Sequence, residues 1–221
     1  MKVIHRYYIL PKRYQKKKLW SFVFKLILII AIIVFLAWSS STWILLLLIQ
    51  PVISIFAPFI DVPSGRKSGQ IIYYSPLLLS SQIKDNSINL HGGTLFDYYY
   101  TLSIEKSESR NKKMILYSYI EGLLNLLDTY DVEKDNMKIN ANAYFINPKT
   151  ALRVGFKKAP TKNFQKVVML LNYLPITISY SIAMGKLSFP NIFSLKSYEC
   201  KLHELRKNRP MLEAMLEHIK K

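Results

Sequence analysis

Residues 26–60 read LILIIAIIVFLAWSSSTWILLLLIQPVISIFAPFI, a run of 35 residues without a charged side chain. A helix needs about 20 apolar residues to cross the roughly 30 Å hydrocarbon core of a bilayer. The run therefore predicts a membrane anchor, and it is longer than one simple crossing requires. We expect this anchor to decide the fold class of the N-terminal part of the chain.

The polar sequence 39–42, Ser-Ser-Ser-Thr, divides the run and leaves two readings open. In the first, residues 20–60 form a transmembrane helical hairpin whose arms of 18 or 19 residues each extend about 28 Å. In the alternative, one helix spans about residues 26–48, and the segment that follows it lies in the membrane interface. Both readings make the chain an integral membrane protein.

The three tryptophans favour the hairpin, because tryptophan concentrates at the interface between membrane and water. A hairpin places Trp38 and Trp43 together at one interface and Trp20 at the other. A single span would leave Trp38 near the bilayer centre, together with the polar residues 39–42. We therefore predict a hairpin.

Orientation follows from the basic arm, residues 1–19. The first 25 residues contain eight lysine or arginine side chains and no acidic one, which predicts a cytoplasmic N-terminus. A hairpin would return residues 61–221 to the cytoplasm. A single span would instead place them on the extracytoplasmic side.

The remainder of the chain predicts one α+β domain. We divide it into a Pro- and Gly-containing linker (61–70), the domain (71–194) and C-terminal helices (195–221). Hydrophobic periodicity assigns the elements. The predicted strands are 71–74, 87–90, 95–104, 138–146 and 176–182, and the predicted helices are 114–127, 164–174, 195–207 and one that begins at 210. Residues 167–185 carry no charge, but Pro175 and the alternation after it favour a soluble helix followed by a strand over a further span.

Charge is unevenly distributed in this domain. Residues 136–198 contain nine lysine or arginine side chains and no acidic one. Five of the nine form a cluster that we interpret as a surface for an anionic ligand or partner: Arg153, Lys157, Lys158, Lys162 and Lys166. A basic residue near an anionic leaflet contributes about 1 kcal/mol to membrane binding. A solvated lysine face explains the same residues equally well, and nucleic-acid binding is less favoured because no known binding motif accompanies the charge.

His91 and Asp97 are the candidate catalytic residues. His91 is followed by two glycines, which allow a close approach of the backbone to a ligand, and Asp97 would orient the imidazole or act as a base. Membrane-bound glycerolipid acyltransferases separate their His and Asp by four residues. Here five residues intervene, so that family is not assigned. A glycine turn with an incidental histidine is the simpler interpretation.

Common enzyme signatures are missing from the sequence: it contains no Walker loop, G-x-S-x-G elbow or dinucleotide fingerprint. We expect no cofactor and no metal site. The favoured function is a non-catalytic membrane-anchored subunit or tether that binds a protein partner or anionic lipid. The alternatives are an enzyme acting on a lipid or anionic substrate, and a membrane-tethered nucleic-acid-binding protein.

Overall fold

The computed structural model describes residues 3–103, 107–143, 148–161, 163–191, 194 and 196–220. The helices are α1 (Arg6–Ile9), α2 (Lys12–Ser39), α3 (Ile49–Lys67), α4 (Leu95–Thr101), α5 (Glu108–Thr129), α6 (Pro148–Arg153), α7 (Asn163–Leu171), α8 (Tyr173–Met184), α9 (Leu202–Lys207) and α10 (Arg209–Lys220). The strands are β1 (Ile71–Ser75), β2 (Leu78–Ser81), β3 (Ser87–Gly92), β4 (Lys138–Ala143), β5 (Lys157–Ala159) and β6 (Lys196–Lys201). Short 3-10 helices cover Trp43–Leu48 and Val132–Lys134.

Two long apolar helices form the N-terminal anchor. One is α2, and the other runs from the 3-10 helix at Trp43 through the end of α3, and both are long and apolar enough to cross a membrane. The chain turns between them, and α2 packs against α3. At the turn the Trp38 and Trp43 rings meet edge to face with centroids 6.0 Å apart. The prediction of a helical anchor followed by a domain with a mixed sheet and helices is confirmed.

The two segments that flank the anchor are both helical in part. In the basic arm, Tyr7 of α1 is buried, and residues 12–19 are the first turns of α2. The predicted linker is helical as far as Lys67, although it includes Pro63. Prolines are tolerated where neighbouring helices satisfy the freed backbone groups. The anchor and the domain are therefore joined without a flexible spacer.

The domain is built on one six-stranded sheet with the order β1-β2-β3-β4-β6-β5. Among the strand pairs of the described residues, only β3–β4 is parallel, with Leu90 opposite Ala141, and the other pairs are antiparallel. One face of the sheet packs against α5, where Ile88 and Ile139 are fully buried. Gly122 permits this packing, because a Cβ there would lie 2.8 Å from Leu78. Helix α10 also packs against α5.

Three predicted elements are wrong. The predicted strand 95–104 begins as helix α4, because Thr94 and Asp97 form a capping box that starts a helix despite the β-forming tyrosines. The predicted strand 176–182 lies within α8, whose first turn accommodates Pro175. The predicted helix 195–207 begins as β6, because Tyr198 and Cys200 point into the core from an extended chain. Residues 95–104 are rich in β-forming side chains and residues 176–182 alternate, but neither local feature outweighs the contacts that favour a helix.

Candidate functional site

A cavity of about 590 Å³ lies where the sheet meets α5, α7, α8 and the anchor. Its walls are mainly apolar: Leu90 and Ala141 come from the sheet, Leu123 from α5, Val168 from α7 and Ile176 from α8. Pro58 of α3 completes one side. Ligand pockets in proteins typically enclose about 300–1,000 Å³. The cavity therefore has the size and the lining expected for an apolar small molecule.

His91 reaches this cavity from the end of β3, where it is paired with Leu79 of β2. The neighbouring Gly92 lets the Tyr119 hydroxyl come close, because a Cβ there would lie 2.6 Å from it. The imidazole lines the cavity and stays accessible to solvent, and its partial loss of hydration lowers the pKa of His91 below its ordinary value. A neutral imidazole is therefore the form that faces the cavity at neutral pH.

Tyrosines supply further polar groups at the cavity. The Tyr98 and Tyr119 hydroxyls lie 3.4 Å apart, and both residues line the wall. Burial raises the pKa of Tyr119, so its hydroxyl stays protonated. A second cavity of about 70 Å³ shares Tyr119 and Phe156 with the first and is also lined by Tyr198. The buried Tyr198 hydroxyl has no hydrogen-bond partner among the described residues.

Asp97 occupies a different environment from His91. Its carboxylate accepts hydrogen bonds from the Tyr73 hydroxyl at 2.6 Å and from the Thr94 backbone and hydroxyl at 2.7 and 2.8 Å. His5 Nε2 lies 3.2 Å from the same carboxylate. Burial, followed by the charge of Asp97, raises the pKa of Tyr73. Asp97 is not among the described residues that line the cavity. The structure thus brings His91 and Asp97 into separate networks.

An aromatic seam, defined as His5, Tyr7, Tyr8, Tyr73, Phe96 and Tyr100, surrounds Asp97 and attaches the N-terminal segment to the domain. Arg6 reinforces it by donating to the backbone oxygens of Tyr99, Tyr100 and Leu102 at 2.7–3.0 Å. The Arg66 guanidinium stacks 3.8 Å from the Tyr8 ring centroid. No sequence pattern indicated this seam, because residues 5–8 contact residues that lie more than 60 positions later in the chain.

The predicted basic surface is only partly available for a ligand. Lys157 is paired with Glu204 at 2.6 Å. Arg153, Lys158 and Lys166 are exposed, and no ion pair to them occurs within the described part of the chain. Lys162 lies outside the described residues. Two members of the group adjoin the cavity in sequence: Lys158 follows the lining residue Phe156 by two positions, and Lys166 precedes Val168 by two.

The three tryptophans of the anchor are all exposed on the protein surface, and Trp38 is the most exposed at 74%. Trp20 lies 18 residues before Trp38 on the same helix, which corresponds to about 27 Å at the α-helical rise. This separation is close to the thickness of the hydrocarbon core. Their placement at the two membrane interfaces stays a prediction.

Sequence reasoning missed most of the cavity, including Tyr119, Phe156 and Val168. Its walls come from four strands and five helices, and no local pattern links them. Among the residues that the structure describes, no three His, Cys, Asp or Glu side chains cluster in a way that would hold a metal ion. In comparisons with known proteins, no family model, no curated protein and no solved structure matches this chain.

Proposed function

We propose that this protein is a membrane-anchored, non-catalytic protein that binds an anionic membrane lipid, with the acyl chain in the 590 Å³ cavity. The observation that carries the proposal is the position of this apolar cavity against the anchor. Each methylene group buried from water contributes about 0.8 kcal/mol. An acyl chain therefore matches the lining better than a polar metabolite does.

Access from the bilayer supports a lipid as the ligand. Pro58 lies in the second of the two apolar helices, and Val168 and Ile176 come from α7 and α8 beside it. A lipid passing between these elements would not have to cross water, which removes the main kinetic barrier for an insoluble ligand. His91 and the tyrosine hydroxyls supply the few oriented polar groups that such sites use.

The basic residues favour an anionic headgroup. Arg153, Lys158 and Lys166 are exposed around the chain segments that contribute Phe156 and Val168 to the cavity. An anionic phosphate held by these side chains would leave its acyl chain directed at the apolar lining. A protein partner with an acidic surface would use the same residues.

For the membrane topology, we propose a hairpin with both ends in the cytoplasm. The basic arm predicts a cytoplasmic N-terminus, and two crossings return the chain to the same side. Arg66 and Lys67 end α3, as the basic arm begins α2, so both ends of the hairpin carry positive charge. The domain would then face an anionic leaflet, where its own positive charge is favourable.

The test measures lipid that copurifies with the full chain from vesicles of phosphatidylcholine and phosphatidylglycerol. Wild-type protein should retain phosphatidylglycerol in near-stoichiometric amount by native mass spectrometry. Val168→Trp should lower retention at least about tenfold, which corresponds to 1.4 kcal/mol, because the indole fills the cavity. Val167→Trp is the matched control, since Val167 is exposed and does not line the cavity. Equal retention by both variants would contradict the proposal.

Charge reversal separates the headgroup from the acyl chain. Lys158→Glu should reduce the preference for phosphatidylglycerol over phosphatidylcholine without abolishing lipid binding. Lys84→Glu makes the same change of charge at an exposed turn outside the cavity and should leave the preference unchanged. An unchanged preference in Lys158→Glu would exclude this lysine from headgroup recognition.

A second candidate function is an enzyme that acts on the bound lipid. It is favoured by the neutral His91 imidazole at the cavity wall, since a neutral imidazole can accept a proton. Mass spectrometry of the same lipid extracts would reveal a cleaved product. If His91→Gln abolishes the product while lipid retention persists, the enzymatic function replaces the non-catalytic one.

A further inference from the structure

Helices α7 and α8 form a sharply bent pair, with 72° between their axes and the break at Asn172. The segment 167–185 contains no charged residue. Its outer surface is unusually apolar for a water-facing helix pair. The exposed large apolar side chains are Phe164, Val167, Val168, Leu170, Leu171, Leu174 and Ile178. An exposed apolar patch of this kind marks a contact with a membrane or a protein.

The bend lies against the anchor. Gln50 Nε2 donates a hydrogen bond to the Leu171 carbonyl oxygen at 3.3 Å, and Ile53 of α3 lines the same hollow as Leu171 and Asn172. Gln50 precedes Asp61, the first charged residue after the apolar run, by 11 residues, which corresponds to about 16 Å along a helix. If α3 crosses a bilayer with Asp61 at the headgroups, the bend is therefore placed near the middle of the hydrocarbon layer.

The backbone at the bend is hydrogen-bonded as a hydrocarbon environment requires. Asn172 donates from its backbone and its side chain to the Val168 carbonyl oxygen at 3.1 and 2.8 Å, and its own carbonyl accepts from Ile176 at 3.1 Å. The Leu171 carbonyl is satisfied by Gln50. Irregular backbone is tolerated at membrane depth when its polar groups are paired within the protein.

Both ends of the pair return to the polar domain. The Asn111 side chain, which is fully buried, donates to the Ile182 carbonyl oxygen at 2.9 Å and fixes the end of α8 to α5. Gly185 then ends α8 with a φ of +65°. Lysines stand on either side of the uncharged segment, at Lys166 and Lys186, and Lys186 faces Glu108 of α5 at 3.9 Å. Positive charge at both ends is typical of a segment that enters and leaves one leaflet.

We propose that α7 and α8 form a re-entrant membrane segment, which enters the bilayer beside α3, turns at Asn172 and leaves from the same leaflet. The occupant of its outer apolar surface is lipid hydrocarbon, since this surface is continuous with the apolar helix that bears Gln50. The inference does not rest on lipid binding inside the cavity, because it concerns the outer surface of the pair. It adds a third membrane element to the two N-terminal helices.

Spin labels on introduced cysteines in the full chain, reconstituted into phosphatidylcholine–phosphatidylglycerol vesicles, test this directly. The natural Cys200 is the sole cysteine, it is 3% exposed, and burial raises its pKa to about 12, so it reacts little with the label. Leu170→Cys reports on α7. Leu47→Cys, in the second apolar helix, is the membrane control, and Val132→Cys, exposed in the domain, is the water control.

The collision rates of each label with oxygen and with a water-soluble nickel complex are then compared. Oxygen concentrates in hydrocarbon, so the ratio of oxygen to nickel collisions at Leu170→Cys should match that at Leu47→Cys and exceed that at Val132→Cys several-fold. A ratio equal to that at Val132→Cys would overturn the proposal by placing α7 in water. Shielding from both reagents would overturn it as well, since a second copy or another protein would then cover the surface.

Discussion

Asp97 and His91 lie six residues apart in the sequence, but the fold places them in different environments. Asp97 is fully buried, and its carboxylate accepts three hydrogen bonds within the aromatic seam, with His5 beside it. His91 faces an apolar cavity, and the loss of hydration there lowers its pKa. Asp97 therefore has a structural role, whereas His91, on the other side of the glycine turn, is available to a ligand.

The largest effect is expected when the Asp97 carboxylate is removed. Asp97→Ala leaves the Tyr73 hydroxyl and the Thr94 N–H without an acceptor in a buried site, and we expect a loss of about 3 kcal/mol or more in the free energy of unfolding. Thermal denaturation in detergent measures it. Asp128→Ala, which breaks an exposed pair with Arg209, should cost less than about 1 kcal/mol. Equal small losses would show that Asp97 is not a structural centre.

A smaller effect is expected at the edge of the same seam. Arg6→Ala removes three hydrogen bonds to backbone oxygens at the end of α4, and we expect a loss of about 2 kcal/mol and faster hydrogen exchange in α4. Arg13→Ala, at an exposed position in α2, should stay within about 0.5 kcal/mol of the wild type. If the two variants lose the same small amount of unfolding free energy, the N-terminal segment contributes little to the stability of the domain.

The smallest effect belongs to His91 and depends on pH. Because its folded-state pKa is lowered, the unfolded chain binds the proton at higher pH than the folded chain does. Stability should therefore fall as the pH decreases below about 6.5 towards the lowered pKa, and the His91→Gln variant should lose this part of the pH dependence. Denaturation at several pH values measures the difference. His218→Gln, at an exposed site, is the control and should show the same dependence of stability on pH as the wild type. If this variant loses the pH dependence instead, His91 is not its source.

Much of the architecture could be predicted because it depends on local patterns. The helix around 114–127, the strands at 71–74 and 87–90 and the start of the strand at Lys138 all follow from hydrophobic periodicity, and the structure confirms them. The helix at 95–101 also has a local signal, since Thr94 and Asp97 are spaced as a capping box requires. This helix-start signal outweighs the β propensity of the tyrosines that follow it.

Other errors had no local remedy. Residues 176–182 alternate like a strand, but the tertiary structure places them against α3, α4 and α5, where a helix buries Thr177 and Ile182. The strand β6 inserts between β4 and β5, which requires partners from distant parts of the chain. Propensity is a weak guide where such contacts decide the outcome.

The sequence by itself predicted a membrane anchor, because the length of an uncharged run is a local property that can be compared with the bilayer thickness, but it left open whether one helix or two would form. The structure shows two helices that are long and apolar enough to cross a membrane. The sequence also indicated His91 and the basic residues as chemically notable. Only the tertiary structure decided that the Asp97 carboxylate is hydrogen-bonded at the aromatic seam, that His91 faces a cavity, and that the bend at Asn172 lies beside Gln50. These outcomes depend on contacts between residues up to about 120 positions apart, which no local pattern of residues encodes.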